Sequence, residues 1–197
     1  MGLAGLFDPF LTVAGTIFVA ELTDKDALLL LTLATRMRPL VAFFAGATAF
    51  TITTSIIVTI GYFLVSIVPV FWIRLAGGFV MIAFGIWQYI STGDSDEKKL
   101  VEQTKRKSAL SIFLGAVSLL ILLDLAGDAT EVLTIVFVAR YSVLLVFVAA
   151  VVALVTASAV ETSLGSTLKR FLSQARLRLL SLVVLLLIGS AIVLTSF

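Results

Sequence analysis

The chain has 197 residues, 60% hydrophobic and 13% charged, with a formal net charge of +2 and a mean hydropathy of +1.19. Soluble domains carry about 25% charged residues, so this composition excludes a soluble globular domain and points to an integral membrane protein. Neither His nor Cys occurs, which removes disulfides, thiolate and imidazole metal ligands and imidazole proton relays. Any metal must be held mainly by oxygen, the choice of hard cations such as calcium, magnesium or manganese.

A membrane-spanning helix needs roughly 20 mostly apolar residues, and runs of that kind predict six: 9–35, 40–65, 70–90, 110–139, 142–164 and 177–196. The N-terminus has no basic stretch and places Asp8 ahead of its apolar run, so the first segment is expected to stay as a membrane helix rather than be cleaved as a signal peptide. The first and fourth segments are longer than a span requires, and each holds an acidic cluster: Glu21-Leu22-Thr23-Asp24-Lys25-Asp26 and Asp124-Leu125-Ala126-Gly127-Asp128-Ala129-Thr130-Glu131. Tilt alone would absorb the extra length. A helix broken at the cluster is the sharper expectation, because transporters place binding sites at such breaks, and Thr23 and Gly127 are weaker helix formers than Ala or Leu. The second segment is rich in hydroxyls (Thr48, Thr51, Thr53, Thr54, Ser55, Thr59), and the fifth carries Thr156, Ser158, Thr162 and Ser163. Most are expected to bond to their own helix backbone and a minority to line a pathway. Gly61, Gly85, Gly165 and Gly189 are expected at close helix contacts, and Trp72, Trp87, Tyr89 and Tyr141 at the membrane–water interface. Residues 91–107 form the one strongly polar stretch, with mixed charges that fit a solvated linker.

The linker separates two three-helix halves, 1–90 and 108–197, that repeat. One ungapped offset of 104 residues aligns Asp24 with Asp128, Arg36 with Arg140, Phe43 with Phe147, Gly61 with Gly165, Arg74 with Arg178 and Gly85 with Gly189. Three spans per half invert the second half relative to the first, the inverted-repeat plan of many secondary transporters. The loop charges agree. With six spans, Arg36, Arg38, Lys98, Lys99, Lys105, Arg106, Lys107, Lys169, Arg170, Arg176 and Arg178 gather on one side, against Arg74 and Arg140 on the other. The positive-inside rule then puts the linker in the cytoplasm and both termini outside. The same asymmetry accounts for the basic pI of about 9.1 without any nucleic-acid partner.

Seven acidic residues fall within the predicted spans: Glu21, Asp24, Asp26, Asp124, Asp128, Glu131 and Glu161, offset away from the span ends by Lys25 alone. In hydrocarbon such an excess must be protonated, hydrated or bound to cations. Glu21 and Asp24 are three apart on one helix face, and Asp124, Asp128 and Glu131 form a stripe at i, i+4 and i+7. Stripes from two inverted halves could meet at a pseudo-twofold axis as one oxygen-lined cage near the bilayer midplane. Crowded carboxylates cannot all ionise together, so some hold protons until a divalent cation displaces them. That competition would couple metal to proton movement. The bland alternative makes these acids interhelical ties worth about 1 kcal/mol each; repeat-matched clusters favour a functional site. Glu161 stands alone near a span end, with Ile57 at its repeat position, and the balance falls towards a structural role. Lys25 fits either a neutralising tie or an internal cation that metal replaces. Asp26 lies round the helix from Asp24 and joins the site only if the backbone unwinds.

At this point the chain resembles the Golgi-type calcium/manganese–proton antiporter family, whose two inverted three-helix halves each carry a Glu-x-Gly-Asp-(Lys/Arg)-(Thr/Ser) motif. Glu21, Asp24 and Lys25 match the first copy, with Thr23 for Gly and Asp26 for Thr/Ser; Gly127, Asp128 and Thr130 match the second. There Leu125 stands at the Glu position, with Asp124 one residue earlier as its substitute, and Ala129 replaces Lys/Arg. Leu33-Ala34-Thr35-Arg36, Val138-Ala139-Arg140-Tyr141 and the run from Arg74-Leu75-Ala76-Gly77-Gly78 to Phe84-Gly85-Ile86-Trp87 extend the similarity over nearly the whole chain. The resemblance implies an all-α membrane transporter, not an enzyme, that exports manganese or calcium against protons. It implies no cofactor, since the cation is the substrate, and a divergent prokaryotic member in the cell's inner membrane. The metal and proton site expected is Glu21, Asp24, Asp124 and Asp128, with Thr23, Lys25, Asp26, Gly127, Thr130 and Glu131 as further candidates.

Three other functions use the same residues. An intramembrane aspartyl protease needs two membrane aspartates, but Leu125 breaks its Gly-x-Gly-Asp signature and the extra acids have no role there. An exporter of another solute, such as an amino acid or cadmium, fits the six-helix plan; cadmium would favour sulfur ligands that the chain lacks. A nonenzymatic scaffold predicts that Asp24 and Asp128 matter to the fold alone.

Overall fold

An apolar chain in lipid must satisfy its backbone hydrogen bonds within each segment, and this one does so by coiling into helices. The computed structural model describes residues 4–90, 109–125, 129–171 and 174–196; the linker, and Asp128 with Ala126 and Gly127, lie outside the described residues. The described residues form eight helices and no strand: α1 (Ala4–Thr23), α2 (Lys25–Arg36), α3 (Pro39–Ile67), α4 (Val70–Ile90), α5 (Ala109–Asp124), α6 (Ala129–Val138), α7 (Val143–Phe171) and α8 (Gln174–Leu194). The first and fourth expected spans are therefore each divided in two. Prolines punctuate the rest. Pro39 opens α3 at the one helical turn where a missing N–H costs nothing. Val68 ends it in an extended conformation (φ −107°, ψ 130°), as the residue before Pro69 should.

Three helices contain stretches long and apolar enough to cross a membrane: Pro39–Ile67, Val70–Trp87 and Val143–Ser163. Leu110–Leu122, Ala129–Val138 and Leu179–Leu194 are shorter apolar helices. Large apolar side chains such as Phe44, Ile67, Trp72, Leu144 and Leu187 point outward, a surface suited to hydrocarbon and not to water. Trp72, Trp87 and Tyr89 are exposed near the ends of α4, whereas Tyr141 is half-buried against Phe137.

α3 and α7 form the centre. α3 packs on α5, α6, α7 and α2, and α7 on α1, α2, α3 and α6. Lipid offers no hydrophobic gain for helix contact, so close approach depends on small residues. Ala42, Ala45, Gly46 and Ala49 on α3 and Ala149, Ala150, Ala153 and Ala157 on α7 supply them, all buried. Gly46 lies beside Leu30 of α2 and Ser158 of α7, while Gly61, four turns further along α3, meets Ile135 and Val138 of α6, just before α7 begins. α3 and α7 are thus antiparallel. α2 reverses into α3 through Met37 and Arg38, so α2 and α7 run the same way.

α4 and α8 make a second tight pair. A Cβ on Gly189 would fall 2.8 Å from the Gly78 carbonyl oxygen, so only glycine lets these backbones meet. Gly85 lies against Leu185 and the Leu182 carbonyl. Under the 104-residue offset, the Gly78–Gly189 contact maps onto Leu182–Gly85, so both members of a symmetric pair of contacts are present. At the other end of the pair, the Arg74 guanidinium donates to the Thr195 carbonyl and hydroxyl beyond the last turn of α8, where a cation complements the helix dipole.

Candidate cation site at two broken helices

The first acidic cluster sits at a helix break one residue wide. α1 ends at Thr23, α2 starts at Lys25, and Asp24 between them is a bend. Its N–H donates to the Glu21 carbonyl at 3.0 Å, a tightened last turn in place of the helical bond. The Thr23 hydroxyl donates to the Ala20 carbonyl at 2.8 Å, closing another terminal acceptor. Glu21 is 0% and Asp24 2% exposed, and Thr23 is buried beside them. The expected break is present, and both acids of the first motif face the protein interior. Lys25 and Asp26 open α2, but their side chains lie outside the described part.

The second cluster also lies between two helices. Asp124 is the last residue of α5 and is 3% exposed, whereas Leu125, which occupies the motif's Glu position, is 41% exposed. Of these two neighbours, Asp124 is therefore the one that turns inward. Thr130 is buried in the first turn of α6, and its carbonyl accepts from Thr134 at 2.7 Å. Glu131, half-buried in the same turn, places a negative charge at the positive end of the α6 dipole. Gly127 and Asp128 lie outside the described residues. Among those described, no three acidic side chains gather as a metal cluster.

Helix packing relates the two breaks. α1 packs on α6, and α2 on α5. Each arm of one broken segment thus touches an arm of the other. Helix ends suit ion binding, because carbonyls freed at a break can accept a cation and N-terminal amides an anion.

The hydroxyl-rich faces divide clearly. Thr51, Ser55 and Thr59 on α3 each donate to the carbonyl four residues back, and Ser55 and Thr59 face outward. Thr53, Ser158 and Thr162 also bond to their own helices, but they are buried. Glu161, weighed towards a structural role in the sequence, is enclosed. It is 0% exposed on α7, and neither carboxylate oxygen has a hydrogen-bond partner among the described residues. The sequence shows this acid but not its burial, because α7 is apolar on most of its circumference.

Apolar outward surfaces and small-residue helix contacts define an integral membrane protein, with acids enclosed where its helices break. No curated protein and no solved structure matches the chain. The family model described as "Divalent cation/proton antiporter GDT1" matches residues 9–96 and 107–197, and the chain belongs to that family. It is a family of transporters.

Proposed function

We propose that the protein exchanges a divalent cation, manganese or calcium, for protons at a carboxylate site formed by Glu21, Asp24, Asp124 and Asp128 near the bilayer midplane. The observation that carries this is the break at Asp24, which holds two carboxylates in the interior where α1 gives way to α2. Hard oxygen ligands select hard cations, and protons compete for the same oxygens. Cation binding displaces protons from the carboxylates, and cation release lets them return. Thr23 and Thr130 offer neutral oxygens beside the acids, and Lys25, Asp26, Gly127 and Glu131 border them in sequence.

Alternating access would come from one half rocking against the other about the site. The reciprocal contacts Gly78–Gly189 and Leu182–Gly85 support inverted halves over 1–90 and 108–197, and six spans follow if each broken helix pair crosses once. The basic residues of the linker and of the α2 and α7 ends favour a cytoplasmic linker with outside termini, in a prokaryotic inner membrane. Proteoliposomes loaded with a pH dye test the exchange. A manganese or calcium gradient should drive protons in the opposite direction, and Asp24→Asn and Asp128→Asn should each abolish this movement. Wild-type flux in either variant would remove the site assignment.

A further inference from the structure

We infer that Glu161 is a proton-carrying carboxyl, placed between the central acidic site and the membrane face at which α2 and α7 end. The inference rests on the exchange proposed above and assigns the route by which its protons leave. Both oxygens of Glu161 are enclosed and lack hydrogen-bond partners among the described residues. The nearest hydroxyls along its own helix are occupied: Ser158 donates to the Leu154 carbonyl at 2.9 Å and Thr162 to the Ser158 carbonyl at 2.6 Å. An ionised carboxylate without a partner is strongly disfavoured in such surroundings, so the group holds a proton for much of its time and can release it when a path to water opens.

The packing sets its level in the molecule. A Cβ on Gly46 would lie 2.9 Å from a Leu30 methyl and 3.1 Å from the Ser158 hydroxyl, so α2, α3 and α7 meet there. α2 and α7 run the same way; from this level Asp24 lies six residues back along α2, and Glu161 three residues forward along α7. At 1.5 Å per residue they are about 13 Å apart along the helices. Glu161 thus stands beyond the cluster, on the side carrying Arg36, Arg38, Lys169 and Arg170. The helices packed on α7 bring Asp8 and Glu21 on α1, Lys25, Asp26 and Arg36 on α2, and Glu131 on α6; α3 brings Tyr62 alone. A divalent cation needs six or more oxygen ligands, which one carboxylate does not offer. A proton needs one. Glu161 takes up one proton shed by the central carboxylates as they bind the cation, and it gives one proton to water at the far face.

The test uses full-length protein in proteoliposomes, with manganese-driven proton movement read by an internal pH dye and manganese binding measured separately in detergent. Glu161→Gln should lose proton movement by about a hundredfold, the lower range for a positioned proton-transfer group, while binding manganese as the wild type does. Glu161→Asp should retain exchange with a displaced pH profile, which a merely structural residue would not produce. Wild-type exchange in Glu161→Gln, or loss of manganese binding along with exchange, overturns the assignment. If Glu161→Gln does not fold, an unchanged pH profile in Glu161→Asp overturns it. A wild-type protein that moves no protons against manganese or calcium removes the exchange reading itself, an outcome distinct from failure at Glu161 alone.

Discussion

The two acidic breaks reach a similar end with different residues. In the first half one residue interrupts the helix, and Glu21 and Asp24, a turn apart, are both enclosed. In the second half α5 ends at Asp124 and α6 begins at Ala129, the motif's Glu position is taken by an outward-facing Leu125, and Asp124 supplies an inward carboxylate from the last turn of α5. What the halves share is the position of the break and an enclosed acid on its N-terminal side, not the motif letter by letter. A shift of one residue at a helix end turns a side chain by about 100°, enough to exchange an inward group for an outward one.

The most forceful way to break this comparison is to remove the substitute acid. Asp124→Asn should lower cation-driven proton movement by at least about tenfold, the lower end of the range for lost support at a metal site, while Leu125→Ala leaves it near wild type; equal effects would mean that the two positions are not distinguished by direction. A smaller effect, on stability, probes the symmetric helix contacts. Gly189→Ala drives a methyl into the Gly78 carbonyl and should cost about 2 kcal/mol, read as a lower melting temperature in detergent. Gly46→Ala meets a Leu30 methyl and the Ser158 hydroxyl rather than backbone, so its cost should be nearer 1 kcal/mol. At the small end, Thr59→Val replaces an outward hydroxyl bonded only to Ser55 and should change stability by less than about 0.5 kcal/mol; a large loss of exchange there would place the pathway on the outer face of α3.

Much of this was legible before any coordinates. Hydropathy alone requires a helical membrane protein, and the oxygen-only ligand set follows from the absence of His and Cys. The break at Asp24 was readable because an acid in the middle of an apolar run, flanked by a weak helix former, favours an interrupted helix over a continuous one. The family follows from the same letters, since the two matched stretches carry the two motifs.

Tertiary packing decided what spacing could not. Glu131 belongs to an acidic stripe and Glu161 stands alone in its apolar run, yet Glu161 is the one fully enclosed, with no hydrogen-bond partner among the described residues, while Glu131 rests half-buried in the first turn of α6. Asp124 and Leu125 are neighbours in sequence but opposites in direction. Periodicity fixes which residues share a helix face, whereas the contents opposite that face depend on how α1, α2 and α3 close around α7. The desolvation that makes a buried acid chemically useful is a property of that closure, and no single segment of the chain carries it.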